Sequence, residues 1–130
     1  MFNKNSQFAF FGALLGGLSV CLGAFGAHAL KQRLGPYELD IFHTATTYMM
    51  YQALFLLFLS TRKNSKIVKI NGILGTIGTV IFSGSLITLS FTGIKVLGAI
   101  TPIGGLCIIL AWFIQAFHEY KHLSKIKEGR

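Results

Sequence analysis

The run His118-Glu119-Tyr120-Lys121-His122 near the end of the chain matches the H-E-x-x-H pattern of zinc-dependent proteases. In those enzymes two histidines one helical turn apart bind zinc, and the glutamate activates a water molecule. A third ligand would have to come from Glu128, His28 or His43, and the two histidines are expected at the opposite ends of the helices derived below. We therefore predict no catalytic residue, no metal site and no cofactor, and keep a zinc-dependent protease as a remote alternative.

Two further histidines, His28 and His43, flank a short segment that also contains Glu38 and Asp40. Histidine changes charge near neutral pH, and together with carboxylates it can bind a proton or a divalent metal. The competing interpretation is that His28 satisfies the free carbonyl groups that end a helix. We favour the helix cap, and we expect both imidazoles in one small patch because the segment between them is short.

A polar stripe recurs at helical spacing in the middle of the chain and comprises Thr44, Thr47, Tyr48, Tyr51 and Gln52. The seven residues that follow are all apolar. If this helix crosses a membrane, polar groups at that depth need partners and mark a functional site by default. They could instead form hydrogen bonds that fix the register of neighbouring helices, which is the interpretation that we favour.

Charged residues are confined to a small part of the sequence. Only 12% of the 130 residues are charged and 52% are apolar, with a mean hydropathy of +0.61, whereas about a quarter of an ordinary soluble domain is charged. Uncharged runs of 26, 21, 25 and 23 residues lie between Lys4 and Lys31, Asp40 and Arg62, Lys69 and Lys95, and Lys95 and Glu119. About 20 helical residues cross the hydrocarbon core. The sequence therefore predicts an all-α, integral membrane four-helix bundle, because a soluble bundle would carry charges along its outer faces.

The predicted spans cover about residues 8–29, 41–61, 70–92 and 96–117 of a single domain, 1–130. Nine of the twelve lysines and arginines lie in the N-terminal segment, the second loop and the tail, and three lie in the other two loops. The positive-inside rule then places both termini in the cytoplasm of a bacterial inner or plasma membrane protein. This rule explains the net charge of +8, so we expect the lipid bilayer, and no nucleic acid, as a partner. The first uncharged run is about twice as long as a signal-peptide core, and we expect it to be retained.

Small residues in the first span alternate at intervals of four and three, which places them on one side of the helix: Gly12, Gly16, Ser19, Gly23 and Gly26. Such a seam lets a second helix approach closely where no hydrophobic effect drives association. We predict that it packs helices, and the alternative is a narrow conduit lined by backbone. The third span carries a similar set: Gly72, Gly75, Gly78, Ser83 and Gly84. In the fourth span, Thr101-Pro102 predicts either a kink or the start of a helix.

Three motifs resemble a known family of small membrane proteins: Gly23-Ala24-Phe25-Gly26-Ala27-His28-Ala29-Leu30, Phe82-Ser83-Gly84-Ser85-Leu86 and Leu97-Gly98-Ala99-Ile100-Thr101-Pro102-Ile103-Gly104-Gly105. The family is domain of unknown function 423, which is similar to the eukaryotic transmembrane protein 256. The resemblance extends to about Trp112 and implies four helices in a bacterial membrane with no established activity. The family typically reads Tyr-Gln-Met-Tyr-His in span two, whereas this chain reads Tyr48-Met49-Met50-Tyr51-Gln52.

We predict that the chain is a non-enzymatic structural or accessory module that packs with itself, as a homo-oligomer, or with another membrane protein. The alternative is a small transporter or channel whose path follows the polar face of span two. The residues that we predict as functional candidates under either hypothesis are His28, Thr47, Tyr48, Tyr51, Gln52, Ser83, Ser85, Thr101 and Pro102.

Overall fold

The computed structural model describes residues 5–129, which form helices and short connections and contain no strand. The helices are α1 (Ser6–Cys21), α2 (Ala27–Leu30), α3 (Pro36–Thr61), α4 (Lys66–Thr92) and α5 (Val96–Glu128), and a π-helical turn, Leu22–Gly26, joins α1 to α2 without a break. Lys4 and Arg130, which enter the charge count above, lie outside the described residues. The prediction of an all-α four-helix bundle is confirmed, with α1, the π turn and α2 together forming the first long helix.

Successive long helices run antiparallel because the connections 31–35, 62–65 and 93–95 are too short for any other arrangement. α1 packs on α3, α3 on α4 and α4 on α5. The start of α1, the end of α3, the start of α4 and the second half of α5 meet at one end of the bundle. Their apolar core there consists of Phe8, Phe55, Leu56, Leu59, Val68 and Ala111. The charge count predicts that this end is cytoplasmic, and it is called the cytoplasmic end below.

The helices extend beyond the predicted spans for identifiable local reasons. α3 begins at Pro36, whose fixed φ suits a first helical position. Glu38 lies in the first turn and folds back over the helix start, since a Cβ at Gly35 would lie 2.6 Å from its Oε2. α4 begins at Lys66 because Ser65 caps it, its Oγ accepting a hydrogen bond of 3.2 Å from the N–H of Val68.

α5 begins at Val96 and continues through Pro102, so the alternative of a helix starting at Pro102 is wrong. Its 33 residues correspond to about 50 Å of helix, well beyond the thickness of the hydrocarbon core. The segment 118–128, which the sequence indicated as a basic tail, therefore continues the last span as a helix, on the side that the charge count predicts to be cytoplasmic.

Three of the described helical segments are long and apolar enough to cross a membrane: Ser6–Leu30, Lys66–Thr92 and Val96–Glu128. α3 is long enough, but its polar stripe lowers its hydropathy. Its neighbours explain how it tolerates those groups, because α1 and α4 cover two of its sides. Since α3 lies alongside helices that can span the bilayer, we expect it to cross with them.

Candidate functional site

The polar stripe of α3 divides between the interior and the surface. Gln52 is buried, with 1% of its surface exposed, whereas Tyr48 and Tyr51 are 44% and 52% exposed. The two tyrosine rings contact each other edge to face at 5.6 Å, and Tyr48 also lies 5.2 Å from the ring of Phe82 on α4. Thr47 is exposed beside them. The stripe therefore combines one buried amide, Gln52, with exposed aromatic and hydroxyl side chains at Thr47, Tyr48 and Tyr51.

Gln52 faces α4 at Gly75, where a Cβ would lie 3.4 Å from its Oε1. This oxygen is buried and accepts no hydrogen bond. An unbonded buried amide costs about 1–3 kcal/mol, and membrane hydrocarbon offers no water to replace the partner. The Oδ1 of Asn71 is also buried without a partner, but it lies near the start of α4, whereas Gln52 lies near the middle of α3.

A groove runs between α3 and α5 on the surface of the bundle, and Gln52 lies in its wall. It consists of two adjoining cavities of about 390 Å³ and 470 Å³ that share Leu54 and Trp112. Phe55 and Trp112 stack across it, with ring centroids 4.6 Å apart and planes at 29°. We call this feature the α3–α5 groove; its other lining residues include Tyr51, Phe58 and Ala116.

A chain of polar contacts closes the cytoplasmic end of the groove. Asn71 Nδ2 on α4 donates to Gln115 Oε1 on α5 at 2.9 Å, and Gln115 Nε2 donates to Glu119 Oε1 at 2.7 Å. Glu119 forms an ion pair with the guanidinium of Arg62, at the end of α3. The carbonyl of Arg62 accepts a hydrogen bond of 2.9 Å from Asn5. This network ties the ends of the first three long helices to the second half of α5, and the sequence pattern did not predict it.

Four of the seven buried hydroxyls among residues 5–129 also join helices, whereas those of Thr46, Thr79 and Ser90 bond to a carbonyl of their own helix. Ser83 Oγ on α4 donates to the carbonyl of Ala45 on α3 at 2.8 Å. Ser85 on α4 and Thr101 on α5 share a hydrogen bond of 2.6 Å, and Thr101 also donates to the carbonyl of Leu97 at 2.9 Å. Three of the predicted functional candidates thus lie in helix contacts rather than in a cavity. Pro102, next to Thr101, is exposed. Because proline has no N–H, the carbonyl of Gly98 lacks its usual helical donor.

The small-residue seam of α1 faces α3. A Cβ at Gly12 would lie 2.9 Å from the carbonyl oxygen of Ala53, and one at Gly26 would lie 3.0 Å from the ring of Phe42. Ser19 Oγ donates to the carbonyl of Thr46 at 2.7 Å. Gly16 and Gly23 line the same contact with more room, at 3.6 Å and 3.9 Å from α3 atoms. Because the facing atoms are those of a packed helix, the seam does not line a conduit.

The π turn widens the first helix where the first family-like motif begins. The N–H of Ala27 bonds to the carbonyl of Leu22, five residues earlier. Helical periodicity does not predict such a turn, although π turns are frequent at functional sites.

His28 lies in the last turn of α2, and it lines a cavity of about 310 Å³ together with His43 and Lys31. Both imidazoles therefore share one patch, although Glu38 and Asp40 do not line it.

Glu119 of the H-E-x-x-H run is engaged by Arg62 and Gln115, as described above. Within residues 5–129 no group of three or more histidine, cysteine or carboxylate side chains is placed to hold a metal ion. The ring nitrogen Nδ1 of His118 is buried without a hydrogen-bond partner. The helix therefore uses this glutamate as a structural anion.

The bundle, its apolar outer surface and its interhelical polar contacts define a small multi-pass protein of the cell membrane. The chain belongs to the family described as "Protein of unknown function (DUF423)", whose model matches residues 22–105. The predicted resemblance is thus confirmed, and the matched residues extend from the π turn to the Gly104-Gly105 pair.

Bacterial relatives match nearly the whole chain. A UPF0382 membrane protein of Staphylococcus aureus (strain bovine RF122 / ET3-1) is 40% identical over 116 residues, covering 88% of this chain and 95% of its own. The UPF0382 membrane protein YwdK of Bacillus subtilis (strain 168) is 42% identical over 120 residues, covering 89% and 98%. No solved structure matches the chain significantly. The similarity identifies a membrane protein family whose molecular function is unknown.

Proposed function

We propose that this chain is a non-enzymatic structural or accessory module of the membrane, which associates with itself or with another membrane protein. The observation that carries this proposal is the use of polar groups. Seven of the eleven buried polar side chains among residues 5–129 bond to another helix or its capping residue: Asn5, Ser19, Asn71, Ser83, Ser85, Thr101 and Gln115. Polar side chains committed in this way hold helices in a fixed arrangement.

Two lipid-facing glycines supply surface for association. A Cβ at Gly17 on α1 or at Gly84 on α4 would have no atom within 4 Å, and both residues are exposed. At Gly12, in contrast, α3 fills the space that a Cβ would take. Since small residues allow close approach of helices in lipid, Gly17 and Gly84 are the positions where a further helix can come nearest to this bundle.

Substitution of these glycines tests association independently of folding. Gly17→Leu and Gly84→Leu should leave the thermal unfolding of the purified protein nearly unchanged, because both residues are exposed and an added Cβ at either position has no atom within 4 Å. In nanodiscs, the oligomer measured by native mass spectrometry or the partner recovered by cross-linking should be lost in at least one of them. Gly12→Leu is the matched control, since it should disrupt the α1–α3 contact and lower stability.

The proposal fails if the unmodified protein is monomeric and captures no partner in its own membrane. It also fails if both lipid-facing variants assemble like the unmodified protein, because then no close-approach surface is used. Unchanged stability of Gly12→Leu would instead contradict the assignment of the seam to helix packing.

Transport receives less support than association. The cavity next to Tyr51 and Gln52 lies along the surface between α3 and α5, and its walls are mainly aliphatic and aromatic. A second surface cavity beside Tyr51, between α1 and α3, has polar groups from Ser19, His43, Thr46 and Thr47 in its lining. A path for ions or polar solutes would need polar groups along the space between helices. Among the described residues, that space is filled by close helix contacts at Gly12, Gly78 and Gly104.

A further inference from the structure

Two surface cavities between the first long helix and α3 join into one groove. The first, of about 310 Å³, lies at the end of the bundle opposite the cytoplasmic end, and the second, of about 420 Å³, continues from it along the helices. Both are lined by Gly23, Ala24 and His43. Gly23 and Ala24 belong to the π turn, and their small size leaves the space beside α3 open. We call this feature the α1–α3 groove.

The mouth of this groove is basic. His28, Lys31 and His43 line the 310 Å³ cavity. The neighbouring carboxylates do not, since Glu38 lines a different cavity and Asp40 lines neither part of the groove. The single ion pair among residues 5–129 lies at the cytoplasmic end, so no carboxylate of that part of the chain neutralises the three basic side chains. The mouth therefore offers positive charge and N–H donors to an anion.

His28 is available to such an anion because it does not cap α2. The carbonyls of Ala27 and Leu30 already accept hydrogen bonds from backbone N–H groups of the following turn, at 2.9–3.1 Å. The imidazole of His28 forms no hydrogen bond within residues 5–129, and the side chain is exposed. The hydrogen-bonded cap that the sequence favoured is therefore not formed, and the ring nitrogens remain open to a ligand.

The groove descends from the membrane surface toward the centre of the bilayer. Asp40 is the last charged residue before the uncharged part of α3. His43, Thr47 and Tyr51 follow it by three, seven and eleven residues, which correspond to about 5, 10 and 16 Å of helix. Half the hydrocarbon core is about 15 Å thick. The groove therefore has its basic mouth at the depth of lipid head groups and its far end near the middle of the membrane.

An unused hydroxyl lies between these two depths. Thr46 Oγ1 donates to the carbonyl of His43 at 3.1 Å, a bond that threonines commonly form within a helix. Thr47 Oγ1, in contrast, forms no hydrogen bond within residues 5–129, and Thr47 lines the groove. Hydrocarbon cannot accept its proton. An occupant that brings a carbonyl oxygen to this depth satisfies it.

We propose that the α1–α3 groove binds an anionic phospholipid. Its phosphate accepts hydrogen bonds from the basic mouth, an ester carbonyl accepts one from Thr47, and an acyl chain continues past Val20 and Met50. Phosphate, ester and chain follow one another in this order in a phospholipid, whereas a soluble anion matches the mouth alone. Gly17 and Gly84 line neither cavity, so the site does not depend on the association proposed above.

Native mass spectrometry of the full chain in detergent, titrated with dioleoylphosphatidylglycerol, tests this proposal. Dioleoylphosphatidylcholine has the same acyl chains but pairs its phosphate with an ammonium group, and sodium glycerol phosphate has no chains. We expect one phosphatidylglycerol per chain at saturation and about tenfold weaker binding of the choline lipid, the effect of one charge-assisted hydrogen bond. Equal binding of the two lipids would overturn the proposal. Displacement of the lipid by an equal concentration of glycerol phosphate would overturn it too, since the site would then bind a soluble anion.

A matched pair of charge substitutions tests the basic mouth. Lys31→Gln should weaken phosphatidylglycerol binding about tenfold, whereas Arg33→Gln should have little effect. Arg33 carries the same charge in the same connection, but it lines neither part of the groove. Both residues are exposed, so both variants should fold. Equal losses in the two variants would attribute binding to the general charge of this surface and overturn the site.

A second pair tests whether the acyl chain enters the groove. Ala24→Leu places a larger side chain where the two cavities join and should weaken phosphatidylglycerol binding, whereas Ala13→Leu adds the same side chain to α1 outside the groove and should not. Both alanines are exposed, so thermal unfolding without lipid should be nearly unchanged in both variants. Unchanged lipid binding in Ala24→Leu would contradict the proposal, because the lipid would then lie outside the groove.

Discussion

Gly104→Ala should lower the free energy of unfolding by about 3 kcal/mol, the upper part of the usual range for overpacking a core. A Cβ at this position would lie 2.5 Å from the backbone N of Phe82 and 2.7 Å from the carbonyl oxygen of Gly78. These are backbone atoms of α4, which cannot move aside as the end of a flexible side chain can. The only relief is to separate α4 from α5, and that separation would strain the hydrogen bond between Ser85 and Thr101.

Gly84→Ala is the matched control for this prediction. It adds the same methyl group to a helix, but no atom of the chain lies within 4 Å of the new Cβ. Alanine favours a helix over glycine by about 1 kcal/mol, so the control should be neutral or slightly stabilising. Unfolding of both variants in mixed micelles with increasing denaturing detergent measures the difference. Equal stabilities would contradict the close backbone contact between α4 and α5 at Gly104.

Asn71→Leu should destabilise the bundle by about 1–2 kcal/mol, whereas Gln52→Leu should cost little or nothing. Both residues are buried amides in the spans, with 0% and 1% of their surface exposed. Asn71 donates to Gln115, which in turn donates to Glu119. Its loss leaves a buried acceptor unpaired and frees the ion pair of Arg62 and Glu119 from one of its supports. Leucine has a similar volume, so the loss of packing is small.

The comparison between the two amides is informative because it isolates the hydrogen bond. The same detergent titration applies, with Gln115→Leu as a second test of the network. If Asn71→Leu and Gln52→Leu were equally stable, the network would contribute no more than a solitary amide. If Gln52→Leu were the more destabilising of the two, Gln52 would have a structural partner that the structure does not show.

The distribution of charges was sufficient to predict four helices and their order. Charge-free runs longer than 20 residues allow few other interpretations, and the alternation of small residues in α1 predicted the side that faces a neighbour. Helix ends were less well predicted because the charged residues near them were counted as loop. Gly35-Pro36 with Glu38, and Ser65 as a cap, were the available signals for the earlier starts of α3 and α4.

The contacts that define the candidate site could not be predicted from one sequence. Tyr51 and Gln52 are consecutive residues of the polar stripe, yet Gln52 is buried and Tyr51 is exposed. The reason is that α4 covers only part of the stripe. The network through Asn71, Gln115 and Glu119 depends on which helices are neighbours, a property of three-dimensional packing. The π turn follows from no periodicity, because it requires one extra residue within a continuous helix.

All four long helices are expected to cross the membrane, including α3 with its polar stripe. Impermeant thiol labelling of intact cells tests it most directly, using single cysteines at Gln32 and Asn64, in the loops before and after α3, in a chain with Cys21→Ala and Cys107→Ala. We predict that Gln32→Cys is labelled in intact cells and Asn64→Cys only after lysis. Labelling of both positions from the same side would show that α3 does not cross, and labelling of Asn64→Cys alone would reverse the orientation.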